Sequence, residues 1–274
     1  MSGGHRFAFV GGLHRSGTTP LTRWLGEHPE VSAFRDTGAP EDEGQHLQDV
    51  FLPAGGHGGA GRFAFDPDAR LTEASPLLDE GTRERLWGSW SPHWDLSRTV
   101  LVEKSPPNLI RTRFLQAAFG DSPTYFIVIT RHPIVVAYST KKWPRHEHYS
   151  VRSLVEHWLE AHELFLEDAQ QLANVRVVRY EDMVADPGAV LGSMFAFLDL
   201  APYTGDWKAQ PGLNRRYLKR WRRIPLGPLT RPVWPAGLDD GLEARARAWG
   251  YSLKRPEELS APEPAVAQYL AGSA

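Results

Sequence analysis

GGLHRSGTTPL, residues 11–21, follows the apolar run RFAFV at 6–10, and its reading decides the fold. From Gly12 the spacing is G-x-x-x-x-G, closing at Gly17, as in the loop that cradles phosphate in nucleotide triphosphatases. Those loops continue with Lys and then Ser or Thr. Here Thr18 and Thr19 follow, and the nearby cation is Arg15, ahead of the second glycine. A strand that enters a glycine loop and then a helix makes an anion site, because free backbone N–H groups and the helix dipole face the ligand. Thr18 and Thr19 add hydroxyl donors, and Arg15 adds charge. Without the lysine, such a loop serves a γ-phosphate poorly.

Outward from this loop the chain alternates between two periodicities. TVLVEK (99–104), TYFIVIT (124–130) and VRVVRY (175–180) read as further buried strands, apolar and β-branched. PNLIRTRFLQAAFG carries helix start and stop signals in Pro107 and Gly120. IVVAYSTKKW and GAVLGSMFAFLDL read as helices, and 151–172 as a long amphipathic one, with Leu154, Val155, Trp158, Leu159, Phe165 and Leu166 on its apolar stripe. Strands alternating with helices predict a P-loop-like three-layer α/β fold, with a central, mostly parallel sheet flanked by helices. Ligands in such sheets bind at the carboxyl ends of the strands. Arg15, Lys104, Arg131 and Tyr180 each stand at or just past a strand end, so they are expected along one rim.

Residues 1–274 read as a single domain. The glycine-rich segment 52–68 is expected to be a mobile loop, and the basic, proline-rich segment 214–237 to be irregular. Hydrophobic residues make up 41% and charged residues 23%, as in a globular protein with a proper core. The absence of cysteine excludes disulfides, thiol catalysis and zinc–thiolate sites. No apolar run approaches the ~18 residues of a membrane span, and no signal-peptide pattern precedes the loop, so a cytoplasmic location is expected. NRRYLKRWRR (214–223) interleaves cations with aromatics, but one short patch on a chain of net charge −2 argues against nucleic-acid binding. RHEHY (145–149) suits a loop at a site mouth better than a metal site, and no metal is expected.

Several blocks together resemble the sulfotransferases that use PAPS (3′-phosphoadenosine 5′-phosphosulfate). HRSGTTPL is similar to their 5′-phosphosulfate loop. TRHPIVVAYS matches an Arg followed eight residues later by Ser, here Arg131 and Ser139. RYEDMVADP resembles their YED-x-x-x-DP block, and VEKSPPN resembles the EKSP stretch of the glycan, protein-tyrosine and bacterial members. The resemblance covers roughly residues 7–48, 99–140 and 176–199. It implies that Arg15, Ser16, Gly17, Thr18 and Thr19 hold the 5′-phosphosulfate, that Arg131 and Ser139 hold the 3′-phosphate, and that Tyr180 lies near the nucleotide. Lys104 would neutralise charge on the oxygen bridging sulfur and phosphorus. Part of the late basic segment would close over the nucleotide. The implied reaction is sulfuryl transfer to a hydroxyl of a small-molecule, glycan or peptide acceptor, and a homodimer is compatible with it.

Such a transfer needs a base within hydrogen-bond reach of the acceptor hydroxyl. In similar family members it is a Glu or His on the segment after the first helix, here FRDTGAPEDEGQHLQDVF. Pro40 and the acids behind it look like a helix start, which would put Glu43 and His46 on one face. Glu43 is the chosen base, with Asp36, Glu41 and His46 as competitors. The alternatives for the whole chain are a nucleotide kinase or triphosphatase and a non-catalytic nucleotide-binding module.

Overall fold

The computed structural model describes residues 4–210, 212–222 and 237–270. Five strands, β1 (Arg6–Gly11), β2 (Val31–Ala33), β3 (Val100–Lys104), β4 (Thr124–Thr130) and β5 (Val175–Arg179), form one sheet in the order β2-β3-β1-β4-β5. Every pairing is parallel. The central strands are buried on both faces, which is why they read as unbroken apolar runs. Alternate residues of β1 serve opposite cores: Phe7 and Phe9 pack on one side, and Ala8 and Val10 on the other.

The Phe7 face is covered by α2 (Thr82–Trp90), α3 (Thr112–Ala118), α4 (Pro133–Thr140) and α5 (Val151–Ala169). The Ala8 face is covered by α1 (Thr18–Leu25), α6 (Tyr180–Ala185) and α7 (Pro187–Phe197). Two further helices, α8 (Leu213–Arg222) and α9 (Asp240–Ala248), extend the Phe7 side. Ser150 caps α5 by accepting from the Ser153 N–H, and Asp186 caps α7 through the Ala189 N–H. No described helix is long and apolar enough to cross a membrane.

The structure departs from the sequence reading in several places. The helix expected from Pro107 is split into a 3₁₀ turn, Pro106–Ile110, and then α3. Residues 40–46 are not a helix start. Two 3₁₀ turns, Pro40–Asp42 and Gly44–His46, flank an extended Glu43 (φ −90°, ψ 124°), and Glu41 and Asp42 have positive φ. Residues 214–222, expected to be irregular, all lie in α8, because Tyr217, Leu218 and Trp221 share one buried face. Residues 223–236 lie outside the described residues. The 52–68 segment holds the 3₁₀ turns Ala54–His57 and Phe63–Phe65, a third follows at Pro67–Ala69, and Phe63 is buried edge-on against His157 of α5.

Candidate active site

At the carboxyl ends of β1, β3, β4 and β5 the structure opens a cavity of about 240 Å³ whose walls include Arg15, Gly17, Thr19, Glu43, Arg131 and Tyr180. The parallel sheet delivers these residues together, since each follows or neighbours a strand end on the same rim. Thr18 also lines the cavity. Ser16 does not: it is fully buried, and its Oγ has no hydrogen-bond partner.

The loop is shaped by its close contacts. Gly17 has φ 106°, and a Cβ there would lie 2.6 Å from Cδ2 of Tyr180. The glycine is therefore required twice, for its dihedral and for the ring stacked against it. Gly17 also precedes α1 without any side-chain cap, so the N–H groups of Thr18 and Thr19, which line the cavity, have no intrahelical partner. Arg15 takes φ 73°, a left-handed backbone uncommon for a residue with a Cβ.

Arg15 is the hub that joins the two halves of the Arg–Ser pair. Its Nε donates to Ser139 Oγ at 2.9 Å, and its carbonyl accepts from Arg131 Nη1 at 2.8 Å. Arg131 is 7% exposed and lies over the Tyr180 ring at 4.0 Å, a cation–π contact that fixes both. His132 ends the intervening turn by accepting from the Ile134 N–H, and Pro133 starts α4, which carries Ser139. The hydroxyl of Tyr217 donates to Ser139 Oγ at 3.2 Å. Burial pushes that phenol up, but its hydrogen bonds with Ser139 and Arg216 and the charge of Lys142 outweigh burial and bring it down to about 8.

Glu43, in the cavity wall, forms a buried pair with Lys104 behind it, Oε1 to Nζ, at 3.2 Å. Lys104 also donates to the Glu41 carbonyl at 2.7 Å. The other carboxylate oxygen of Glu43 accepts from Gln45 Nε2 at 2.5 Å, while Gln45 Oε1 accepts from the Ala54 N–H at 2.7 Å. The amide is thus held at both ends. The turn carrying it is anchored as well: Trp90 Nε1 donates to the Gly44 carbonyl, and the Gln45 N–H donates to Ser105 Oγ. Ser105 in turn donates to Glu103 at 2.6 Å, and Asn108 donates to the second oxygen of that carboxyl. Burial pushes Glu103 up to about 7 against those hydrogen bonds.

Of the competing acids, Glu41 lines the cavity and accepts weakly from Thr19 Oγ1 at 3.4 Å. Asp36 is exposed and stands outside the lining. His46 Nε2 lies 3.8 Å from Glu43 Oε2, within ion-pair reach but too long for a hydrogen bond.

Sequence reasoning missed four participants: His14, Trp143, Gln45 and Asn214. His14 and Trp143 line the cavity edge-to-face, with ring centroids 5.8 Å apart. Burial and then the charge of Lys104 push His14 down to about 3, so it is a neutral wall. Its position beside Arg15 in the opening loop was the available signal. Gln45 lies inside the segment searched for the base, and Asn214 stands at the head of a helix legible only as a charge patch.

The comparisons bear on the family and the fold. The model of the sulfotransferase family matches residues 8–205, and the chain belongs to that family. No curated protein matches it. Among solved structures it is similar to the sulfotransferase domain of the Synechococcus PCC 7002 olefin synthase, with 21% identity over 90% of this chain and 95% of that one, TM-score 0.51. It is likewise similar to the sulfotransferase domain of the curacin biosynthetic pathway, with 16% identity over 90% and 98%, TM-score 0.51. A Mycobacterium avium sulfotransferase aligns at 15% identity over 90% and 76%, TM-score 0.51. These likenesses share the fold, and the family membership supports sulfuryl transfer as the chemistry.

Proposed function

We propose that this protein transfers the sulfuryl group of PAPS to a hydroxyl of a small-molecule, glycan or peptide acceptor, with Glu43 as the general base. The single observation that carries this reading is one cavity lined by an anion loop without a Walker lysine, by Arg131 and by buried Glu43, which pairs with Lys104. The residues suit such a donor. Arg15, the hydroxyls of Thr18 and Thr19 and the start of α1 provide for a 5′-phosphosulfate, and Arg131 with Ser139 for a second phosphate. PAPS supplies the sulfuryl group and its phosphate leaving group. Glu43 accepts the acceptor's proton as the acceptor oxygen bonds to sulfur and the bond from sulfur to the bridging oxygen breaks. Lys104 offers positive charge beside the departing oxygen. The rest is positioning and electrostatics.

The test is turnover of PAPS to adenosine 3′,5′-bisphosphate, followed by chromatography with a phenol, a sugar and a tyrosine peptide as acceptors. Glu43→Gln keeps the shape but cannot take a proton, and kcat should fall about 10²- to 10⁴-fold. Asp36→Asn and Glu41→Gln should stay near wild type. Near-normal turnover in Glu43→Gln, with loss in Asp36→Asn or His46→Ala, would remove Glu43 from the role.

A further inference from the structure

A guanidinium carries five N–H donors in a rigid plane. In Arg131 three of them are used inside the protein. Nε and Nη2 both donate to Asn214 Oδ1, at 2.9 and 2.6 Å, and Nη1 donates to the Arg15 carbonyl. One N–H remains on each Nη. Guanidinium N–H groups suit phosphate oxygens.

Asn214 is held from its other end too. Its Nδ2 donates at 2.7 Å to Glu181 Oε1, which also accepts from the His132 N–H, while Oε2 accepts from the Tyr251 hydroxyl. A carboxylate only accepts, so the amide must turn its N–H₂ to Glu181 and its oxygen to Arg131. A neutral group thus stands between an acid and a base that would otherwise pair.

We infer that Asn214 is a positioning residue for the 3′-phosphate: it grips one edge of Arg131 through Nε and Nη2, keeps Glu181 off the guanidinium, and leaves the remaining Nη N–H groups and the charge for the ligand. This rests on the donor reading above. Asparagine suits the place better than aspartate, because a carboxylate at 214 would pair with Arg131 and repel both Glu181 and an incoming phosphate. Alanine would release the guanidinium to swing toward Glu181.

The experiment is calorimetric titration with adenosine 3′,5′-bisphosphate and with adenosine 5′-phosphate, for wild type, Arg131→Ala, Asn214→Ala and Asn214→Asp. The ratio of the two affinities on one protein cancels any loss of folded fraction. Asn214→Ala should lower that ratio about 10-fold, the scale of a lost charge-assisted hydrogen bond, and Asn214→Asp should lower it further. If Arg131→Ala lowers the ratio and both Asn214 variants keep the wild-type value, the inference is overturned and the donor reading stands. If Arg131→Ala weakens both nucleotides equally, the 3′-phosphate assignment fails and the inference goes with it.

Discussion

Glu43 and Lys104 meet at 3.2 Å with side chains only 8% and 3% exposed, so the candidate base and the candidate charge donor are one electrostatic unit. Removing one partner of such a pair strands the other in a poor solvent. Lys104→Met should cost about 3 kcal/mol of stability in urea unfolding, and the double variant Glu43→Gln with Lys104→Met should recover part of it. A cost within 0.5 kcal/mol, the ~0.5 kcal/mol expected at an ordinary surface site, would show that the pair is not desolvated.

Gln45 can only donate to Glu43, because the Ala54 N–H occupies its oxygen. Gln45→Leu should therefore lower kcat about 10-fold through a misplaced carboxylate, with nucleotide affinity unchanged. In the Glu43→Gln background it should cost nothing more, since residues that act as a unit are not additive. Equal losses in both backgrounds, read from initial rates, would separate Gln45 from the base.

Gly17→Ala places a methyl 2.6 Å from the Tyr180 ring at φ 106°. Strain of this kind costs about 1–3 kcal/mol, and the loop would relax away from its anion-binding shape. Calorimetry should show both adenosine nucleotides weakened by about 10-fold or more, unlike the selective loss expected for Arg131→Ala. Normal affinity in Gly17→Ala would mean that the loop does not hold the shared 5′ end.

Glu103 predicts how stability depends on pH. Burial raises its carboxyl from the usual 4.5 to about 7, so the folded chain holds this proton more tightly than the unfolded chain does. Its contribution is fully present below pH ~4.5 and fades as pH rises to ~7, a change of about 3 kcal/mol at most. Glu103→Gln can still serve Ser105 and Asn108 and has nothing to ionise. Urea melts at pH 5 and pH 8 should differ less in the variant than in wild type; an unchanged difference would contradict the assignment.

The fold and half of the site were legible because one physical rule governs both. Strands buried on two faces leave unbroken apolar runs, and a parallel sheet puts everything just past their ends on one rim. That rule brings Arg15, Arg131 and Tyr180 to the wall of one cavity, with Lys104 beside it through its pair with Glu43. It says nothing about β2, three residues long, or about α2, whose apolar residues are too sparse for a clear period. Glu43 was picked out for a reason that did not hold: it shares no helix face with His46, and tertiary contacts from Trp90, Ser105 and Ala54 fix its turn instead. Asn214 acts through hydrogen bonds to Arg131 and Glu181, distant in sequence, and Gln45 through its side-chain bonds to Glu43 and the Ala54 N–H, and a periodic pattern carries no signal for either.

The central claim is that this cavity takes a nucleotide with phosphate groups at both the 5′ and 3′ positions and needs no metal or triphosphate. Isothermal titration with adenosine 3′,5′-bisphosphate, set against ATP with Mg²⁺, tests it most directly. The account predicts that the bisphosphate binds equally well with and without Mg²⁺ and at least about 10-fold more tightly than ATP. Tight, Mg²⁺-dependent binding of ATP, with the bisphosphate weaker, would contradict it.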